Sequence, residues 1–292
     1  MDRRAVLGEN RYGKAEIRLM KVDRETPRHE LHDLTVSVAL SGDMEAVHLE
    51  GDNSAVLPTD TQKNTVYAFA REHGVGEIED FALRLARHFV DTQPTIHRAR
   101  VHVEEYPWQR VTLAGRPAPH SFTQAGAEGR TTTVTYDGRG EWVRSGITDL
   151  VLLSSTDSEF TGFLRDRYTT LAEADDRILC TSVNAQWRHG STDVDWAKSF
   201  ETARTAVVEA FADTYSRSLQ QTLYAMGERL LEACEGVAEV RLSLPNRHHF
   251  LVDLSPFGLD NPGEVFHVDD RPYGLIEGTL LRDDATAAPE AW

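Results

Sequence analysis

Apolar and polar residues alternate along two stretches near the start of the chain. Ala15, Ile17 and Leu19 alternate with charged residues, and a second alternating run covers residues 34–40. Alternation with a period of two is typical of strands that bury one face. The opening of the chain is therefore predicted to form two antiparallel strands, each half buried.

A change of period predicts that two helices follow. Residues 59–62, Thr-Asp-Thr-Gln, have the form of a capping box, which would make Thr59 the N-cap of a helix. Apolar residues then recur at helical spacing as far as Gly74, which favours a stop. Residues 78–89 predict the second helix, and strand alternation returns near residues 101 and 134. The first half therefore has the predicted order ββααββ.

The second half of the chain shows the same order of patterns. Strand-like stretches occupy residues 146–154 and 178–187, and a helical region extends from 196 to 234. An unbroken helix of that length would run about 57 Å at 1.5 Å per residue, longer than a domain of this size is wide. We therefore predict a break at residues 216–218. Alternation at residues 240–244 and 250–254 predicts the two closing strands.

Both halves thus predict one architecture, and a turn separates them. The sequence Asp137-Gly138-Arg139-Gly140 is typical of a turn. We expect two domains of related design, residues 1–140 and residues 141–292. The expected fold class is α+β, with antiparallel sheets that carry a pair of helices on one face.

Charge narrows the range of partners. The 292 residues include 31 Lys and Arg against 47 Asp and Glu, which gives a net charge of −16. Such a chain repels phosphate backbones and anionic lipid, so we expect neither nucleic acid nor a membrane as a partner. The apolar runs are also far too short to span a bilayer. A site for a small anion must therefore be locally basic.

Cysteine and histidine positions do not favour a metal site. Cys180 and Cys234 are the two cysteines of the chain, and they are predicted to be reduced, packed thiols. His29 and His32 are three residues apart but lie where a strand begins, without a supporting Glu-x-x-His helix. Residues 1–6 lack an apolar stretch for a secretory signal, and the chain does not end in Ser-Lys-Leu. The expected location is the cytoplasm.

Several segments, in order from one end of the chain to the other, resemble the urate oxidase (uricase) family. One such segment would be weak support, whereas the ordered set is specific. The segments are Arg11-Tyr12-Gly13-Lys14, Asp52-Asn53-Ser54 with Thr59-Asp60 and Lys63-Asn64-Thr65, Pro119-His120-Ser121-Phe122, Phe160-Thr161-Gly162-Phe163-Leu164-Arg165-Asp166, Tyr168-Thr169-Thr170-Leu171, Asp176-Arg177-Ile178-Leu179, and Leu244-Pro245-Asn246-Arg247-His248.

The resemblance implies a fold, an assembly and a reaction. The fold would be a tandem pair of tunnelling-fold (T-fold) domains, which agrees with the ββααββ pattern. The assembly would be a homotetramer around a barrel-like tunnel. The reaction would convert urate, molecular oxygen and water to 5-hydroxyisourate and hydrogen peroxide, with no metal and no organic cofactor.

The resemblance also implies which residues act. Lys14, Thr59 and His248 match a proton relay, since a hydroxyl passes a proton along and a Lys or His accepts one. By the same match, Asn246 would orient oxygen or water above the substrate ring. Lys14, Thr59 and Asp60 would come from one subunit and the remaining site residues from its neighbour.

Substrate contacts follow from the same match. Arg177 would supply a charged fork, because a guanidinium makes two parallel bonds to a planar anion. Gln220 would bind the polar edge of the purine, and Phe160 would stack on the ring. Thr59 with Asp60, and Leu219 with Gln220, lie near predicted helix starts, which are natural anion sites. We therefore expect the N–H groups of Asp60 and Leu219 to contact urate.

Each of these residues also has an ordinary interpretation when it is taken alone. Thr59 is typical of a helix cap, Arg177 of a surface ion pair and Phe160 of a core residue. Two other functions remain possible at this stage. One is a T-fold enzyme that acts on a pterin, typically anchored by a buried Glu and in several cases assisted by zinc. The other is a purine-binding or structural ring protein without catalytic activity.

Overall fold

A computed structural model of the chain describes residues 5–292, so most of the segment on which the expectation about a secretory signal rests lies outside the described residues. The chain divides into two compact units. Unit 1 comprises the chain up to Gly146, with Arg188–Ala197 and Thr286–Trp292; unit 2 comprises Ile147–Trp187 and Lys198–Ala285.

Unit 1 contains an antiparallel sheet and a helix pair. Its strands follow the order β1-β2-β3-β6-β7, and β4 pairs only with β5 in a separate hairpin. The elements are β1 (Tyr12–Asp23), β2 (Glu30–Gly42), α1 (Glu45–Glu50), α2 (Thr59–Glu72), α3 (Ile78–Thr92), β3 (Ile96–Glu105), β4 (Trp108–Leu113), β5 (Arg116–Gln124), β6 (Gly129–Tyr136) and β7 (Glu141–Ser154), of which β7 ends in unit 2.

Unit 2 has the same plan. Its strands follow the order β7-β8-β9-β12, and β10 pairs only with β11. The elements are β8 (Leu179–His189), α4 (Trp196–Asp213), α5 (Leu219–Ala233), β9 (Val237–Pro245), β10 (His248–Leu251), β11 (Phe266–Asp269) and β12 (Leu275–Leu281). Three short 3₁₀ turns, Asn53–Ala55, Ser255–Phe257 and Pro289–Ala291, complete the structure.

Both units therefore run β-β-α-α-β-β, with a hairpin between the third and fourth strands. This confirms the repeated pattern and the predicted helix break, since α4 ends at Asp213 and α5 begins at Leu219. The predicted turn is present too. Gly138 has φ 79°, and Asp137 accepts bonds from the N–H groups of Arg139 and Gly140. The fold is α+β, built on antiparallel sheets with helix pairs.

Each helix pair packs through the face that its periodicity indicated. In α3 the side chains of Phe81, Leu85 and Phe89 are fully buried in the core of unit 1. In α5 the buried stripe lies in the core of unit 2 and consists of Leu219, Leu223, Met226 and Leu230. Burial of such a side chain stabilises a fold by about 1.5–3 kcal/mol, so these stripes fix the helices on their sheets.

Two expectations about elements were wrong. Thr59 is the first helical residue rather than the N-cap: Pro58 is the N-cap, and no side chain caps the helix. The fourth strand of unit 2 is β12, not residues 250–254. Ile276 and Leu280 of β12 pack on the core of unit 2, whereas Phe250 and Leu251 are 50% and 55% exposed in the β10–β11 hairpin.

The remaining differences arise at short or irregular elements. Ala15 is exposed because a bulge interrupts the alternation of β1 before Ile17. The helix α1 and the β4–β5 hairpin were not predicted.

Cys180 and Cys234 are free and buried, as expected. Among the described residues, no helix is long and apolar enough to cross a membrane, and no group of three or more His, Cys, Asp or Glu could hold a metal ion.

Candidate active site

The residues that the sequence singled out fall in both units. Unit 1 contains three of them, Lys14, Thr59 and Asp60. Unit 2 contains the larger group: Phe160, Arg177, Leu219, Gln220, Asn246 and His248.

Lys14 lies immediately before the bulge in β1. It is opposite Val38 of β2, and regular pairing resumes at Ile17. Within the bulge, Glu16 has φ 56°, and its N–H donates to Ser37 Oγ at 3.0 Å. A bulge redirects nearby side chains and increases the local twist of a strand. Lys14 is therefore the last regularly paired residue before that change of direction, and it is partly buried.

Two tyrosine hydroxyls hold α2 against the strand that carries Lys14. Tyr12 Oη accepts a bond from the N–H of Leu57 at 2.9 Å, just before the helix begins. Tyr67 Oη, from the third turn of the helix, donates to the carbonyl of Arg18 at 3.2 Å. The Tyr12 bond brings the residues just before α2 to the part of β1 that carries Lys14, and the Tyr67 bond fastens the third turn of the helix farther along the same strand.

The start of α2 presents free N–H groups. The first intrahelical bond of the helix runs from the N–H of Gln62 to the carbonyl of Pro58, at 3.1 Å. Within residues 5–292, the N–H groups of Thr59, Asp60 and Thr61 have no partner, and neither does Thr59 Oγ1. Free N–H groups and the positive end of the helix dipole attract an anion. Because Thr59 does not cap the helix, its hydroxyl remains free to take part in proton transfer.

The carboxylate of Asp60 is bound by its own helix. Asp60 Oδ1 is 2.5 Å from Lys63 Nζ, and Oδ2 accepts from Asn64 Nδ2 at 3.0 Å. These contacts, first the hydrogen bond to Lys63, lower the pKa of Asp60, and the charge of Lys14 contributes to the same shift. An anion would therefore meet the backbone N–H of Asp60 rather than its side chain.

In unit 2, Arg177 is held against the ring of Phe160. The N–H of Arg177 donates to the carbonyl of Ser158 at 2.8 Å, and its Nε lies 3.4 Å from Ser158 Oγ. The Arg177 Cζ atom lies 5.1 Å from the centroid of the Phe160 ring. Burial lowers the pKa of Arg177, although a guanidinium stays charged at neutral pH. Among the described residues no partner occupies Nη1 or Nη2, so two donors remain for a planar anion.

The start of α5 offers a second set of free N–H groups. Ser218 is the N-cap, and its Oγ accepts from the N–H of Gln221 at 3.2 Å. The first intrahelical bond runs from the N–H of Thr222 to the carbonyl of Ser218. The N–H groups of Leu219 and Gln220 therefore have no partner in the part of the chain that the structure describes. Gln220 is exposed, whereas Leu219 is buried.

Buried hydroxyls connect the two parts of the unit 2 group. Ser158 is bridged to Ser216 by backbone pairing, and Glu159 N–H donates to the Ser216 carbonyl at 2.8 Å. Thr222 Oγ1 donates to Ser216 Oγ at 2.8 Å, and Ser216 Oγ donates to the Ser218 carbonyl at 3.2 Å. Ser158, Ser216 and Thr222 are all at most 1% exposed. Sequence patterns did not indicate these serines and this threonine, because a buried hydroxyl has no characteristic spacing.

Asn246 and His248 lie at a junction rather than together at the start of one strand. Asn246 follows β9, forms a bridge with Thr181, and donates its N–H to the carbonyl of Gly274 at 2.8 Å. His248 opens β10 and is opposite Asp269. The two residues therefore belong to different pairings.

The structure thus assembles two partial sites. Lys14 and the start of α2 are close together in unit 1, and Arg177, Phe160 and the start of α5 are joined in unit 2. Each half combines a cation with free helix N–H groups. No hydrogen bond or ring contact among the described residues links Asn246 or His248 to Arg177 or Phe160. Together the halves contain the groups needed to bind a planar anion and to move a proton.

Comparisons with known proteins point to one family. The family model described as Uricase matches residues 10–135 and again residues 143–277. A uricase of Arthrobacter globiformis is 47% identical, and the match covers 99% of this chain and 94% of that protein. A uricase of Aspergillus flavus is 39% identical, and the match covers 93% of this chain and 95% of that protein. The crystal structure of uricase from Arthrobacter globiformis superposes with a TM-score of 0.93 at 48% identity, covering 98% of each chain.

Close approach of β1 and β2 beside Lys14 predicts a specific effect of Gly13. An added Cβ at Gly13 would lie 1.8 Å from the backbone oxygen of Val38, so the strands would have to separate there. We expect Gly13→Ala to lower the free energy of unfolding by about 2 kcal/mol, measured by urea denaturation. Gly8→Ala is the matched control, since its Cβ would meet no described atom within 4 Å. Equal stability of the two variants would contradict this description of the strand.

Proposed function

The chain belongs to the uricase family, and we propose that it oxidises urate with molecular oxygen at a site formed by the two groups of residues described above. The reaction consumes urate, oxygen and water and yields 5-hydroxyisourate and hydrogen peroxide. The observation that carries the site assignment is the Arg177 guanidinium, which lies over the Phe160 ring with two nitrogens free.

Binding follows from the chemistry of urate, a planar purine that is anionic at neutral pH. Arg177 donates two parallel charge-assisted bonds to one edge, and Gln220 donates to and accepts from the polar edge. The Phe160 ring stacks on the purine, an arrangement worth about 1–3 kcal/mol for a base on an aromatic ring. The free N–H groups of Asp60 and Leu219 complete the contacts. Repulsion by the net charge of −16 is offset locally by these donors.

Proton removal makes urate a better electron donor to oxygen. In this proposal Thr59 Oγ1, which has no partner among the described residues, passes a proton toward Lys14. We propose that His248 takes part in the same relay and that Asn246 orients oxygen or water above the purine. We also propose that the reaction needs neither a metal nor an organic cofactor.

Assembly completes the site in this proposal. Lys14, Thr59 and Asp60 of one subunit face the unit 2 residues of its neighbour in a homotetramer that encloses a tunnel. In support, among residues 5–292 β1 has a strand neighbour on one side only in unit 1, and so does β12 in unit 2. Sheet edges of that length are usually paired or covered. Each subunit comprises two T-fold domains, residues 1–140 and 141–292. We propose a cytoplasmic location, where unpaired cysteines are usual.

The proposed reaction is tested by an oxygen-uptake assay with urate and chelator-treated protein. We expect loss of the ultraviolet absorbance of urate, with one peroxide formed for each oxygen consumed. A requirement for added zinc would instead favour a metal-dependent T-fold enzyme. Binding of urate without consumption of oxygen would show a purine-binding protein.

Variants separate binding from proton transfer. Lys14→Met and Thr59→Ala should lower kcat by at least about 100-fold, with little change in the Kd of urate, because they remove relay groups. Arg177→Ala should weaken urate binding by about 100-fold, since it removes two charge-assisted bonds. Steady-state kinetics and calorimetry measure the two quantities. Lys21→Met, on the same strand as Lys14, is the control; equal losses of affinity in the three site variants would contradict these roles.

A further inference from the structure

The segment that follows Phe160 folds back and places a second aromatic ring against it. The rings of Phe160 and Phe163 are stacked, with centroids 4.9 Å apart and an angle of 13° between their planes. Near-parallel, offset stacking in this distance range is a favourable arrangement of aromatic pairs. Phe160 therefore already has an aromatic neighbour from its own chain.

A glycine makes this return possible. Gly162 has φ 67°, a left-handed conformation that costs glycine little and other residues more. Its N–H donates to Glu173 Oε1 at 3.2 Å. The backbones of Phe160 and Ala174 pair in both directions, at 2.8 and 3.2 Å, and close the loop at its base. The turn at Gly162 is thus tied to the returning strand, and Phe163 is directed back over Phe160.

A second arginine, Arg165, lies over the Phe163 ring. Arg165 Cζ lies 4.8 Å from the centroid of Phe163, an attractive cation–π distance. The same guanidinium donates to the carbonyl of Leu171 at 3.3 Å and lies 3.8 Å from Glu173. Arg165 therefore fastens the Phe163 ring to the returning half of the loop.

The two arginines pair with different rings. Arg177 lies over Phe160 and Arg165 over Phe163, and within the described residues Arg177 makes no ring contact with Phe163. A purine gripped by the Arg177 guanidinium would then meet the Phe160 face that Phe163 leaves uncovered.

We propose that Phe163 is a positioning residue, which fixes the tilt of the Phe160 ring against which the purine stacks; this role rests on the proposed function. Phe163 itself does not touch the substrate. A Phe160 ring without its neighbour would rotate about its side-chain bonds and would meet the purine at varying angles. The loss would appear in substrate binding, because the proton relay lies on other residues.

The test compares three variants with the wild-type enzyme in urate oxidation. Phe163→Leu should raise the KM for urate about three- to tenfold, the range expected for loss of one aromatic pair, with kcat within about twofold of wild type. Phe163→Tyr keeps the ring and should restore the KM. Tyr168→Leu is the matched control, since it removes another ring of the same loop, one that lies 4.5 Å from Arg167 Cζ and has no aromatic neighbour among the described residues.

Each outcome decides the proposal. An unchanged KM in Phe163→Leu, no rescue by Phe163→Tyr, or an equal effect of Tyr168→Leu would overturn it and leave urate oxidation by the wild-type protein standing. If Phe163→Leu lowered kcat, substrate affinity and melting temperature together, the role of Phe163 would be general and structural. That result would also overturn the proposal. A wild-type protein that does not oxidise urate would refute the proposed function, and this inference with it.

Discussion

The contact between Arg177 and Phe160 is the interaction on which the rest of the proposed site depends, because a protein of strongly negative charge has to hold an anion there. The guanidinium is partly buried, so its field is less screened than that of a surface arginine. Ser158 directs it over the ring through one backbone and one side-chain contact. Buried Ser216 and Thr222 connect this position to the start of α5, so the charge and the free N–H groups lie in one connected part of unit 2.

The unit 1 half of the proposed site depends on an irregular stretch near the beginning of β1. Lys14 is the last regularly paired residue before a bulge, and the bond of Tyr12 brings the residues just before α2 to that part of the strand. Because Pro58 rather than Thr59 is the N-cap, the threonine hydroxyl is not consumed by the helix. Both halves thus combine the start of a helix with a cation. The two units that contain them have the same order of elements.

Sequence periodicity predicted the regular elements and missed the irregular ones. The stripes of α3 and α5 were evident because buried residues recur at helical spacing, and the break between α4 and α5 followed from length alone. The bulge after Lys14 and the Pro58 cap were not predictable, since both depend on local pairing and backbone geometry. Residues 250–254 alternate like a core strand, yet β12 takes that place through Ile276 and Leu280. The site residues came from family resemblance, and their roles stay predictions.

The central claim, that each site draws its two halves from neighbouring subunits, is tested most directly by subunit complementation. Homo-oligomers of Lys14→Met and of Arg177→Ala are each deficient at every site. After dissociation and joint reassembly, some interfaces combine an intact Lys14 from one chain with an intact Arg177 from the other. We expect mixed oligomers to recover urate oxidation above the sum of the two parents. A mixture that reassembles yet stays no more active than its parents would contradict it.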